Sequence, residues 1–249
     1  MNNITGINHL PYVDLKNHID LETYDSLHSE ICRGFSKARH LAIHGCHIIK
    51  DGSINVDGQG FKFKPLYQAY SEFQALEESH PIKQAGQGLD YNQLTTYLKY
   101  ALGGYDLYSR YVLFENCTTE IVLEEVADFF PELITWIKQL KDSKIFESIQ
   151  GATFFLLEGN GIPFEHCDPD ENAEQLKNIP EFIHIKTDLD RPFYLIDPVS
   201  REKTYIRTRA SWWNERDWHG GEPIYKPTYT LRIDGNFTKE FREKILKDD

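Results

Sequence analysis

Apolar positions recur at three- and four-residue spacing after Asp20, where Leu21, Tyr24, Leu27, Ile31, Phe35 and Ala38 fall on one face. That spacing predicts a packed helix with Asp20 as its N-cap. From Leu41 to Phe63 the pattern shortens to brief apolar runs, and Asp51-Gly52 between Ile48-Ile49 and Ile54-Val56 reads as a hairpin turn. Helical spacing returns at Leu94, Tyr97, Leu98 and Leu102, with Gly103-Gly104 as a stop. A third helical region is expected after Thr118 or Thr119. Pro131 breaks it and opens a new helix carrying Leu133, Trp136, Ile137 and Leu140.

Beyond Ile149 the chain turns to β-branched and aromatic runs punctuated by Gly and Pro: Ala152 to Leu157, Phe182 to Ile185, Phe193 to Ile196, Thr204 to Arg207 and Tyr229 to Ile233. Short strands at this cadence predict an antiparallel sandwich or barrel. The expected fold class is α+β: a double-stranded β-helix (jelly roll, cupin-like) with a mixed, mainly helical N-terminal half packed on it. The chain is expected to be one structural unit over 1–249, with a supporting region at 1–148, a jelly-roll catalytic core at 149–235 and a C-terminal tail helix within 236–249.

Composition narrows the function classes. A 40% hydrophobic content with 13% aromatic residues is ample for a packed core. Lys plus Arg number 27 against 39 Asp plus Glu, and a net charge of -12 repels polyphosphate, so nucleic acid is not expected as a partner. Met1 to Pro11 lacks the basic stretch and apolar run of a secretory signal, and no run approaches the roughly 18 apolar residues of a membrane span. A cytoplasmic location away from membranes is the expectation, and the sequence leaves oligomeric state open. Cys32, Cys46, Cys117 and Cys167 are widely spaced with no C-x-x-C, which argues against a disulfide framework or an all-cysteine zinc site. No phosphate-binding glycine loop, dinucleotide fingerprint or G-x-S-x-G elbow occurs.

One constellation carries chemistry. His166 and Asp168 form an H-x-D, and on an extended chain residues two apart point to one face, so imidazole and carboxylate can reach one ion. A third ligand is available about fifty residues farther on in His219, and two His with one carboxylate leave three coordination positions open, which suits ferrous oxygenases. His219 follows Trp212, Trp213 and Trp218, a run that could line a cavity. Arg232, on the next strand-like segment, could grip an acidic cosubstrate through a bidentate fork. An H-x-D alone occurs by chance on solvated loops. The order H-x-D, distal His, then Arg on a strand is more selective.

With these residues the chain resembles the Fe(II)/2-oxoglutarate dioxygenase superfamily, which combines a jelly roll with H-x-D, a distal His and a downstream basic residue. Phe130-Pro131-Glu132-Leu133 through Ile149, then Phe154 to Leu157, Gly159, Ile162-Pro163 and His166, looks like the aspartyl/asparaginyl β-hydroxylase-like branch over roughly residues 125 to 235. Asp168 departs from that branch, whose members often lack the carboxylate. Two spacings depart as well: one extra residue lies between Gly159 and His166, and Arg232 stands a few positions farther from His219 than in that branch.

The resemblance implies iron held by His166, Asp168 and His219. It implies 2-oxoglutarate held by Arg232 and by His184, on the strand Phe182-Ile183-His184-Ile185. O2 would be co-reactant, and succinate and CO2 products. The substrate would be an amino acid, free or peptidyl, or a similar small molecule. A carboxylate at Asp168 leaves no position for a halide, which favours hydroxylation over halogenation, with desaturation still open.

Other residues have blander readings beside the sharp ones. Trp213, Asn214 and Arg207 are candidate substrate contacts, whereas core packing for the tryptophans and surface pairing for Arg207 and Arg209 are simpler accounts. His44-Gly45-Cys46-His47 fits a short strand better than a second metal site, and Cys167 points away from the ligands on either side of it. A half-buried strand histidine bonded to a neighbour is the plain alternative for His184. Two rivals stay open for the whole protein: a cupin-like metalloenzyme that does not use 2-oxoglutarate, and a non-catalytic jelly-roll binding module.

Overall fold

The computed structural model of the protein describes residues 4–39, 43–47, 49–50, 53–54, 61–65, 106–115, 124–157, 181–187, 192–222 and 226–247, with isolated positions between 75 and 87. Asp20 caps the first helix as expected: its Oδ1 accepts the Thr23 backbone N–H at 2.9 Å, an arrangement worth about 1 kcal/mol. The expected single helix is two segments, α1 (Leu21–Ser26) and α2 (His28–Lys37), that meet at Leu27. There the Leu27 N–H bonds the Tyr24 carbonyl three residues back rather than four, a tightened turn that breaks α-helical geometry without ending the helical path. Strand β1 (Tyr12–Asp14) precedes them.

The turn expected at Asp51-Gly52 lies outside the described residues, and the strands on either side of it, β3 (Ile49–Lys50) and β4 (Ser53–Ile54), pair antiparallel. Strands β2 (Ile43–His47), β5 (Phe61–Pro65) and β6 (Asp106–Glu115) lie either side of that hairpin in the chain, and β2 contains the His44-Cys46-His47 run as a strand. The helix expected around Leu94 to Leu102 falls outside the described residues. Pro131 opens a helix as its sequence requires: after the short α3 (Glu124–Ala127), α4 (Pro131–Asp142) starts with Pro in its first turn and buries Leu133, Trp136, Ile137 and Leu140. Among the described residues, the N-terminal half is mixed, since β2, β5 and β6 extend the main sheet beside its helices.

The C-terminal half supplies β7 (Phe146–Leu157), β8 (Glu181–Lys186), β9 (Phe193–Ile196), β10 (Lys203–Tyr205), β11 (Ala210–Trp213), β12 (His219–Gly221), β13 (Thr228–Phe237) and the tail helix α5 (Lys239–Ile245). An eight-stranded sheet runs β1-β11-β8-β13-β7-β6-β2-β5, and a three-stranded sheet runs β10-β9-β12. All the pairings are antiparallel. From β8 onward the chain leaves the large sheet for β9 and β10, returns at β11, leaves again at β12 and returns at β13.

One face of the large sheet carries the core. Phe154, Leu231 and Tyr229 point to it, where Phe35 of α2 meets Phe154 at 5.0 Å, Tyr229 at 5.3 Å and Tyr111 at 4.9 Å between ring centroids. Each such buried ring contributes about 1.5–3 kcal/mol, and each edge or tilted pair about 0.5–1.5 more. Gly34 lets α2 approach closely: a Cβ there would lie 2.2 Å from the Phe130 ring. Glu30 then ties α2 to α4, its carboxylate accepting the Leu133 N–H at 3.0 Å and the Glu132 N–H at 3.2 Å at the start of that helix. With helices on this face, the opposite face is left for the small sheet.

Candidate functional site

Register decides which of the expected residues meet. Directly opposed residues of an antiparallel ladder point to the same face. Ser211 opposes His184, His184 opposes Arg232 and Arg232 opposes Thr153. One polar row therefore crosses four strands on the face away from the helices. Strand alternation adds Phe182 and Lys186 beside His184, and Trp213 beside Ser211.

His219 approaches the same space from the small sheet. It opposes Leu195, which shares a face with Phe193 two residues earlier. The Phe193 ring lies 5.4 Å from His184, 5.0 Å from Trp213 and 5.8 Å from His219, and Trp213 lies 4.9 Å from His184 and 5.9 Å from His219. Two histidines from different sheets are thus held by two aromatic rings, and all four are buried. The offset and edge-on arrangements suit aromatic quadrupoles and fix the imidazole planes.

The chemistry of His219 can be read from one bond. Its Nδ1 sits 2.8 Å from the Asp217 backbone oxygen. A carbonyl only accepts, so Nδ1 carries the proton, and in the neutral ring the lone pair is on Nε2. That is the state a metal-ligating histidine needs, with its other nitrogen donating to a backbone carbonyl. His219 therefore fits a divalent metal. His166 and Asp168, its expected co-ligands, lie outside the described residues, and among the described residues no group of three His, Cys, Asp or Glu side chains is placed to hold an ion.

Arg232 is half-buried and already engaged. Its Nε donates to Asp234 Oδ1 at 2.7 Å and its Nη2 to Glu215 Oε2 at 2.5 Å, while the guanidinium carbon lies 4.2 Å from the Phe182 ring centre. The stacking and the two carboxylates pin the fork in one plane over the sheet. Among the described residues on the same face, the buried Ser211 hydroxyl and Trp213 Nε1–H have no hydrogen-bond partner. Buried polar groups are ordinarily satisfied, so these leave hydrogen-bonding capacity on the face that His184 and His219 share.

The remaining candidates separate. Asn214 is buried but holds a turn: its side-chain oxygen accepts the Arg216 N–H at 3.2 Å and its carbonyl the Asp217 N–H at 2.9 Å. Arg207 is exposed, past the end of β10 rather than within a strand, and its backbone N–H donates to the Tyr12 hydroxyl. Arg209 makes a bidentate pair with Asp25 at 2.5 and 2.6 Å, as the simpler account of surface charge expects.

Three residues of this region escaped sequence reasoning. Lys186, almost wholly buried, donates from Nζ to the Ile206 carbonyl at 2.7 Å on the face of His184; its position two residues after His184 is the signal that could have found it. Glu215 and Asp217 carry no such signal, because their roles come from contacts made across the chain.

No family model matches the sequence, and a search of curated proteins returns no relative. Among solved structures, the chain is similar to a viral collagen prolyl hydroxylase from Paramecium Bursaria Chlorella virus-1, solved with 2OG, at 10% identity over 53% of this chain and 81% of that one, TM-score 0.29. It is similar to a prolyl hydroxylase from Trichoplax adhaerens, solved with a hypoxia inducible factor peptide, at 10% identity over 90% of this chain and 94% of that one, TM-score 0.32. It is also similar to HygX from Streptomyces hygroscopicus, solved with iron, at 10% identity over 55% of this chain and 79% of that one, TM-score 0.31.

Proposed function

We propose that the protein is an Fe(II)- and 2-oxoglutarate-dependent oxygenase that hydroxylates an unactivated C–H bond of an amino acid, free or peptidyl, or of a similar small molecule. The observation that carries this reading is His219: it is buried, faces the large sheet and is locked by the Asp217 carbonyl in the tautomer that offers Nε2. The winding of β7 to β13 between two antiparallel sheets supports a jelly roll with this face as its interior. In this reading His166 and Asp168 complete the ligand set, and Arg232 with His184 receives the distal carboxylate of the cosubstrate. When bound, iron with 2-oxoglutarate and O2 supplies the oxidising power for C–H hydroxylation, with succinate and CO2 released. The protein's share is to fix the imidazole planes, to offer the Ser211 and Trp213 donors, and to keep water from a face lined by Phe182, Phe193 and Trp213.

One observation favours a second reading. The charge of Arg232 is balanced by Glu215 and Asp234, and the same metal ligands would serve a cupin-like enzyme that does not use 2-oxoglutarate. Anaerobic titration with Fe(II) and 2-oxoglutarate separates the two, since a weak visible charge-transfer band requires a chelated keto acid on iron. A screen of free amino acids and short peptides for stimulated succinate release, with mass detection of one added oxygen atom, then identifies the substrate. His166→Ala and His219→Ala are expected to abolish that release; turnover retained in either variant overturns the assignment.

A further inference from the structure

We infer that Asp217 is a positioning residue: its side chain straps the N-terminal segment onto the turn before β12, and that strap holds His219 in its ligand tautomer. The inference rests on the metal-binding role proposed above for His219, but its core is a hydrogen-bond arrangement present in the protein itself. Asp217 Oδ1 accepts the Thr5 N–H at 2.8 Å and Oδ2 accepts the Gly6 N–H at 2.7 Å, a contact between residues 211 apart in sequence. The backbone of the same residue faces the other way. Its carbonyl accepts His219 Nδ1–H at 2.8 Å, and its N–H donates to the Asn214 carbonyl at 2.9 Å. One residue thus joins the turn at Thr5 and Gly6 to the imidazole.

The strap has its own conformational requirement. Gly6 has a φ of +63°, and a Cβ there would stand 2.1 Å from the Leu10 carbonyl oxygen, so only glycine allows the N–H to reach Asp217. Beyond it, Ile7 and Leu10 exchange backbone bonds at 2.8 and 2.9 Å, which closes the turn. The carboxylate is buried and accepts two backbone donors, so its removal leaves the buried Gly6 N–H without its acceptor. The loop then has fewer restraints holding the Asp217 carbonyl at Nδ1, and the ring can take its other tautomer or rotate. Groups that hold the far nitrogen of a ligating imidazole set metal affinity by about 10–100-fold.

The test uses the full chain. In the metal-free protein, long-range ¹H–¹⁵N correlation of the His219 ring is expected to show Nδ1 protonated in the wild type and a mixed tautomer in Asp217→Asn, where an amide NH₂ confronts a backbone N–H. Co(II) affinity, followed by its visible absorption, is expected to fall about 10–100-fold in the same variant. Gly6→Ala attacks the strap from its other end, and its loss should not add to that of Asp217→Asn, because both break one contact. This variant also keeps the test decisive if Asp217→Asn does not fold. Wild-type tautomer and wild-type Co(II) affinity in the variants would overturn the strap. A wild type that binds no Co(II) while its variants shift the tautomer would leave the strap standing and overturn the metal reading.

Discussion

Arg232 stands directly across from His184 on neighbouring strands of the large sheet, so the two side chains that the resemblance assigns to one cosubstrate share a face. Cβ atoms of opposed residues are about 4.5–5.5 Å apart in such a ladder, close enough for both side chains to touch one small dicarboxylate. The guanidinium, however, leans toward Phe182 and is held between Glu215 and Asp234. An acidic cosubstrate proposed to bind at Arg232 would therefore compete with Glu215.

That competition gives a prediction of opposite signs. Arg232→Ala is expected to raise the 2-oxoglutarate KM with a smaller effect on kcat, and to lower stability by about 1–3 kcal/mol because two half-buried carboxylates lose their partner. Glu215→Gln removes the competing anion and is expected to tighten 2-oxoglutarate binding about fivefold, the effect of about 1 kcal/mol. Calorimetric titration with 2-oxoglutarate checks both, and an unchanged affinity in both variants removes Arg232 from the cosubstrate site.

For His184, packing and chemistry can be separated by substitution. His184→Phe keeps a ring against Trp213 and Phe193 but removes both ring nitrogens, whereas His184→Ala removes both ring and nitrogens. A cosubstrate contact predicts about a tenfold rise in 2-oxoglutarate KM in each variant, from the loss of a hydrogen bond to a charged group. A wild-type KM in His184→Phe with a lowered Tm in His184→Ala would make the residue a packing element only.

A pH prediction comes from the small sheet's outer side. Lys203 Nζ and the Tyr205 hydroxyl both donate to Glu222 Oε1 at 2.9 Å. The Lys203 hydrogen bond first, and then that of Tyr205, lower the Glu222 carboxyl below its ordinary value of 4.5. A carboxylate with a depressed folded-state pKa adds stability that is present above the ordinary value and is lost as pH falls through the depressed one. Glu222→Gln should therefore lower stability modestly above pH 4.5 and flatten the acid limb below it, the two proteins converging once the wild-type carboxyl is protonated. Tm measured from neutral pH down to about pH 3 checks it, and an acid limb as steep as the wild type's counts against the pairing.

Much of the fold was legible because local chemistry enforces it. Asp20 caps a helix wherever its neighbours are helical, Pro131 fits a first turn, the short strands flanking Asp51-Gly52 pair antiparallel, and runs such as Phe193 to Ile196 have few alternatives to a strand. The break at Leu27 was not legible, since the apolar spacing runs through it and only one tightened hydrogen bond marks it. Strand membership also stayed hidden in the N-terminal half: which sheet β2, β5 and β6 join is set by pairing partners remote in the chain.

For the candidate site, the sequence by itself determined residue types and strand parity. His219, His184, Arg232 and Trp213 were each identified there, whereas Lys186, two residues after His184, was not. Only the tertiary structure decided that these residues meet, through the registers Ser211–His184–Arg232 and His219–Leu195. It alone decided that Arg232 is shared with Glu215, that Asn214 holds a turn, and that Asp217 reaches Thr5 and Gly6. The physical reason is that hydrogen bonds and ion pairs act over about 3 Å whatever the sequence separation, whereas periodicity reports only which way a side chain points along its own strand or helix.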